Sequence, residues 1–152
     1  MPSRHHAHRL RTGRYSEEGQ IYLLTAVVLN RQPVFSSFKT GRLVVEAFRK
    51  AQEEQFANSL AWVVMPDHFH WLIELQNTPL RTLMARTKSR TTVTLNRELQ
   101  RAGSLWQPGF HDRAIRREED LQAVARYIVA NPLRAGLVEK VGDYPLWDAI
   151  WL

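Results

Sequence analysis

The chain has 152 residues, 44% hydrophobic and 24% charged, a balance that suits one globular domain with a substantial core. It has no cysteine, which excludes a disulfide framework and a thiolate-bound zinc site, and no apolar run approaches a membrane span. The net charge of +6 points to a polyanionic partner, most simply nucleic acid, and the basic N-terminus lacks the apolar core of a signal peptide, so a cytoplasmic protein with no membrane contact is expected.

Residues 1–14 read as a flexible basic arm, with Arg4, Arg9, Arg11 and Arg14 and no acid. His5, His6 and His8 lie within it, and a basic tail is a simpler reading of them than a metal-binding tract. The rest of the chain, residues 15–152, reads as one catalytic domain. A first strand is predicted over about 21–30, where Tyr22, Leu23, Val27 and Val28 are β-prone and Pro33 breaks the run. A helix follows over about 41–57, with Val44, Val45, Phe48, Ala51 and Phe56 spaced for one buried face. Two strands come next, about 60–65 and 68–76, joined by the turn signal Pro66-Asp67. Alternation gives Phe69, Trp71, Ile73 and Leu75 to one face, and His68, His70, Leu72 and Glu74 to the other.

A long basic helix is predicted over about 80–102, ended by Gly103, followed by a loop and a short strand near 112–116. Nine basic residues and two acids fall between Arg81 and Arg117, a surplus of seven that resembles a phosphate-tracking surface. A last helix begins near Glu118 and stops before Pro132. The order β-α-β-β-α-β plus a helix predicts an α+β, ferredoxin-like antiparallel sheet, with a C-terminal helix that carries Tyr127 across its free face.

His68 and His70 point the same way about 7 Å apart along their strand, a spacing that suits two imidazoles on one divalent metal. Tyr127 and Asn131 are four residues apart and share one side of the last helix. Asn131 can complete the metal shell with a carbonyl oxygen, a donor set acceptable to Mn²⁺ or Mg²⁺. Such a metal polarises a phosphodiester, which would make Tyr127 a candidate nucleophile. A core aromatic for Tyr127 and helix termination for Asn131 are the plainer alternatives, and the residues alone leave both open.

Three blocks sharpen the reading: Ala61-Trp62-Val63-Val64-Met65-Pro66-Asp67-His68-Phe69-His70-Trp71, Leu105-Trp106-Gln107-Pro108-Gly109-Phe110-His111-Asp112-Arg113-Ala114-Ile115-Arg116, and Tyr127-Ile128-Val129-Ala130-Asn131-Pro132-Leu133-Arg134-Ala135-Gly136-Leu137-Val138. With a closing Asp143-Tyr144-Pro145 they resemble the REP-associated tyrosine transposases, IS200-like members of the HUH (His-hydrophobic-His) superfamily. The resemblance implies a ferredoxin-like sheet with His68 and His70 as the HUH pair, Tyr127 as nucleophile and Asn131 as the polar residue helping to hold Mg²⁺ or Mn²⁺. It implies single-stranded DNA with a REP-type hairpin as partner. Cleavage would leave a 5′-phosphotyrosine and a free 3′-hydroxyl, and the protein would act as a monomer or a homodimer.

Asp67 stands where many relatives have Asn, a turn position where little consequence is expected. Trp71 is bulkier than the aliphatic residue often found there, and the longer C-terminal tail of some members is missing after Leu152, which bears on hairpin specificity. Candidate DNA contacts are Arg113, Arg116, Arg126 and Arg134 near the site, Arg86, Lys88 and Arg90 along the long helix, and Trp106 as a base-stacking platform; a solvated helix face and, for Trp106, core packing are the equal alternatives. A hairpin-binding module that no longer cuts, and a hydrolase using water, are the competing functions.

Overall fold

The structure is a computed structural model, and it describes residues 19–116 and 118–151, so the basic arm predicted over residues 1–14 lies outside the described part. The elements run β1 (Ile21–Val27), a 3-10 turn (Leu29–Arg31), α1 (Phe38–Glu53), β2 (Ala57–Met65) and β3 (His68–Leu75). After them come α2 (Leu80–Leu99), β4 (His111–Ile115), α3 (Glu118–Val129), a single helical turn α4 (Asn131–Arg134), a 3-10 turn (Val141–Asp143) and β5 (Trp147–Ala149). The sheet is antiparallel throughout, in the order β4-β1-β3-β2-β5. Four of its strands make the expected ferredoxin-like arrangement. The fifth, β5, extends the β2 edge by pairing Ala61 with Ala149 and Val63 with Trp147.

Both faces of the sheet are covered, and strand alternation decides what lies on each. On one face Leu24 and Ala26 of β1 and Phe69, Trp71 and Ile73 of β3 pack under Val44 and Phe48 of α1 and Leu83, Met84 and Leu95 of α2. Trp71 is fully buried there, stacked 4.2 Å from the Phe48 ring, and its Nε1 donates to Ser59 Oγ at 2.8 Å. The extra bulk at this position is therefore accommodated by a ring stack and a satisfied polar atom. On the other face Ala61, Val63, Met65 and Leu72 pack against Val124, Ala125, Ile128 and Val129 of α3. His68 and His70 share the parity of Leu72, so they lie on this second face, beneath the C-terminal helix.

Several boundaries differ from the sequence expectation for identifiable reasons. β1 ends at Val27 because Val28 bridges to Trp106 and the chain then turns through Asn30 (φ 57) and Arg31 (φ 51). α1 starts at Phe38, earlier than predicted, because the Ser37 hydroxyl accepts from the Thr40 amide at 3.1 Å and caps the helix. α2 ends at Leu99, before Gly103, because Gln100 itself takes the left-handed conformation. Among the described residues, no helix is long and apolar enough to cross a membrane.

Candidate active site

β2 and β3 form a tight hairpin whose two-residue turn, Pro66-Asp67, brings Met65 opposite His68. The turn is fastened to the segment after β1: Val28 N donates to Asp67 O at 2.8 Å and Phe35 N to Pro66 O at 2.9 Å. The two imidazoles that follow are 5.0 Å apart between ring centroids and inclined at 79°. Each uses Nδ1 for a neighbour. His68 Nδ1 lies 2.7 Å from Asp67 Oδ1, and His70 Nδ1 lies 2.8 Å from the Thr25 hydroxyl across the β1–β3 pair. Nε2 of both rings is left for something else, as in metal sites whose histidines are oriented through their other nitrogen.

The electrostatics keep His70 neutral. Burial, the neighbouring His68 and the Arg134 guanidinium together push His70 down to about 4, so it holds a lone pair at neutral pH. Burial works to raise the Asp67 carboxyl, but hydrogen bonds from His68 and Arg31 outweigh it and hold the group below its usual range.

Tyr127 is 57% exposed near the end of α3, which removes the alternative of a core aromatic. Arg134 holds it from the following turn: the guanidinium carbon lies 3.9 Å from the ring centroid, and Nη2 donates to the Tyr127 carbonyl at 2.7 Å. Asn131 belongs to α4, not α3. Ala130 between them keeps right-handed backbone (φ −85, ψ −3), so the chain goes on turning in the same sense, and Pro132 sits in the first turn where it needs no amide partner. Asn131 Nδ2 is buried with no hydrogen-bond partner. A carboxamide can be turned end for end without change of shape, which would put a carbonyl oxygen in that place.

Two imidazoles and a buried, unmatched carboxamide are candidate donors to a divalent cation. Among the described residues, no three His, Cys, Asp or Glu side chains converge as a metal-holding group, at this site or at any other.

An open cleft of about 860 Å³ runs between β4 and α3, lined by Thr25, Arg113, Arg116, Asp120 and Tyr127 among others. The candidate nucleophile, the hydroxyl that holds His70 and two of the predicted DNA-contact arginines thus share one surface. Arg126 is exposed on the same helix as Tyr127.

The long helix gives a different picture. Arg86, Lys88 and Arg90 lie on α2, which packs against the opposite face of the sheet. Lys88 Nζ donates to the carbonyls of Gln107 and Gly109 at 2.9 and 2.7 Å, and burial pushes its ammonium down. Arg90 pairs with Glu54 at 3.3 Å, and Arg86 lies over the Phe56 ring. Of the two readings of Trp106, stacking platform and core residue, its burial favours the second. It is 6% exposed, packs between Phe35 and Phe69, and donates from Nε1 to Thr91 Oγ1 at 2.9 Å, so neither ring face is open to a base.

Sequence reasoning missed three participants: Thr25, Asp67 as a partner of His68, and the contact of Arg134 with Tyr127. The seven-residue separation of Tyr127 and Arg134, two helical turns, was the available signal for the last.

The family description "Transposase IS200 like" matches residues 17–131. A Haemophilus influenzae protein assigned as a REP-associated tyrosine transposase is 27% identical over 139 residues, covering 84% of this chain and 78% of that one. The REP-associated tyrosine transposase of Escherichia coli K12 is 26% identical over 134 residues, covering 87% and 78%. Among solved structures, a REP-associated tyrosine transposase bound to a REP hairpin superposes with a TM-score of 0.75 at 25% identity, covering 88% of this chain and 79% of that one. A Deinococcus radiodurans protein assigned as a transposase shares the fold, with a TM-score of 0.56 at 18% identity over 77% and 94% of the two chains. The chain belongs to the IS200-like transposase family, and the relatives it matches there are REP-associated tyrosine transposases.

Proposed function

We propose that this protein cleaves and rejoins single-stranded DNA beside REP-type hairpins, using Tyr127 as the nucleophile and a divalent metal held by His68, His70 and Asn131. The observation that carries the reading is one shared cleft. The exposed Tyr127 and Thr25, the neighbour of His70, both line it, and Arg134 touches the tyrosine ring while its charge acts on His70. The hairpin structure of the relative supports the DNA partner.

His68 and His70, through Nε2, and Asn131, through its amide oxygen, would hold Mn²⁺ or Mg²⁺, which would supply positive charge at the scissile phosphodiester. Tyr127 Oη attacks the phosphorus. An O–P bond to tyrosine forms as the bond from phosphorus to the 3′ oxygen breaks, the phenolic proton passes to water, and the departing 3′ oxygen takes up a proton. The 5′ end stays on the tyrosine, and the reverse attack by a 3′-hydroxyl rejoins the strand. Arg113 and Arg116 in the cleft, and Arg126 and Arg134 beside the tyrosine, track the phosphates of the cleaved strand.

The test is a denaturing gel for covalent protein–DNA adducts, with Mn²⁺ or Mg²⁺ and single-stranded hairpins taken from repeats flanking the gene. An adduct that needs metal and is absent from Tyr127→Phe is the expected result. Cleavage without an adduct would make water the nucleophile, and tight hairpin binding without cleavage would leave a binding module.

A further inference from the structure

His68 and His70 differ in how their second nitrogen is held. The Thr25 hydroxyl beside His70 can donate or accept, so it dictates neither tautomer. The partner of His68 is a carboxylate, and a carboxylate only accepts. A neutral His68 bonded to Asp67 Oδ1 at 2.7 Å therefore carries its proton on Nδ1 and its lone pair on Nε2. The other carboxylate oxygen is engaged as well, since Arg31 Nη1 donates to Asp67 Oδ2 at 3.1 Å.

The backbone supports this chain of contacts at some strain. Arg31 and Asn30 are consecutive non-glycine residues in the left-handed region, at φ 51 and φ 57, a conformation that ordinary residues persist in only where the surroundings impose it. That turn directs Arg31 toward Asp67. The amides of Val28 and Phe35, on either side of it, hold both carbonyls of the Pro66-Asp67 turn.

We infer that Asp67 and Arg31 are positioning residues that lock His68 as an Nε2 ligand before any metal arrives. The inference rests on the metal site proposed above, and it assigns to Asp67 a role that a plain turn residue would not have. Arg31 steadies the carboxylate from a 63% exposed position, so its share is the smaller one.

The experiment uses the whole chain, with ¹⁵N-histidine labelling in metal-free buffer at pH 7.5 and Mn²⁺ titration by calorimetry. In the wild type, long-range ¹H–¹⁵N correlations should show His68 protonated at Nδ1 alone. Asp67→Ala should shift His68 toward the Nε2-protonated form and weaken Mn²⁺ binding by about tenfold, the lower end of what removing such orienting partners costs. Asp67→Asn keeps an acceptor oxygen and should retain most of the Nδ1-protonated form, with a smaller loss. Arg31→Met should lower affinity by less than Asp67→Ala. Circular dichroism on each variant confirms that the fold is kept. An Asp67→Ala protein with the wild-type tautomer and wild-type Mn²⁺ affinity would overturn the inference. Failure of the underlying metal site looks different: Mn²⁺ affinity would then be unchanged in His68→Gln and His70→Gln, whereas the tautomer of His68 in Asp67→Ala would still decide whether Asp67 fixes the ring.

Discussion

Acidifying the metal-free protein should destabilise it through His70 in a window that the structure defines. The ring is mostly buried beside Thr25, next to His68 and within the field of Arg134, and its pKa is pushed down to about 4 from the ordinary 6.5. In the unfolded chain it titrates normally, so between pH 6.5 and 4 the unfolded state binds more protons than the native one. Stability therefore rises with pH across that window, is fully present above 6.5, and is lost as the pH falls toward 4. A separation of about two and a half pH units corresponds to about 3 kcal/mol at 1.36 kcal/mol per unit.

The assay is urea unfolding in EDTA at pH 7.5, 6.5, 5.5 and 4.5, comparing wild type with His70→Gln, so that the acidic titrations common to both proteins cancel. With a slope of about 2 kcal/mol per molar urea, the wild-type midpoint should fall by roughly 1 M or more beyond the fall in the variant. Parallel curves for the two proteins would refute the reasoning, because they would mean that His70 takes up its proton in the native state as readily as in the unfolded chain. The same neutrality leaves the ring a lone pair at pH 7, the form in which an imidazole binds a metal.

Other outcomes follow from particular contacts. Tyr127→Phe should abolish the covalent adduct and leave hairpin affinity within about twofold on a filter or gel-shift assay, since the ring and its Arg134 contact persist. Trp106→Ala should cost about 3–5 kcal/mol in denaturant unfolding, as expected for emptying a buried aromatic site. Trp106→Phe should bind hairpin DNA as the wild type does, because the indole faces the core. Lys88→Met should lose about 1–3 kcal/mol of stability by leaving the carbonyls of Gln107 and Gly109 without their charged donor, a loss read from the same urea curves.

What the sequence made legible was whatever depends on alternation and helical period within one segment. The side on which His68 and His70 face follows from parity with Leu72, and the hairpin turn at Pro66-Asp67 follows from composition. The α1 cap went unread: Ser37 is a favoured N-cap residue, yet the predicted helix began only near 41. What escaped was set by contacts between distant segments. β5 is three residues long and exists because Ala149 pairs with Ala61, a partner that no local pattern announces. The placement of Thr25 beside His70 depends on the β1–β3 register. Trp106 could be read as platform or core because its surroundings, Phe35 and Phe69, come from two other parts of the chain.

The basic stretch from Arg81 to Arg117 shows the same limit in a more instructive form. A charge surplus in sequence does not say which face of a sheet will carry it, and here it is divided. Arg86, Lys88 and Arg90 lie on α2 across the sheet from the histidines, each engaged with a carbonyl pair, an acid or a ring. Arg113 and Arg116 stand in the cleft with Tyr127. The division follows from topology, because α2 and β4 are joined by a loop that passes from the helix-covered face to the sheet edge. Arg134, seven residues on, donates to the Tyr127 carbonyl while its guanidinium lies over the ring. Arg134 thus holds the tyrosine at both its backbone carbonyl and its ring.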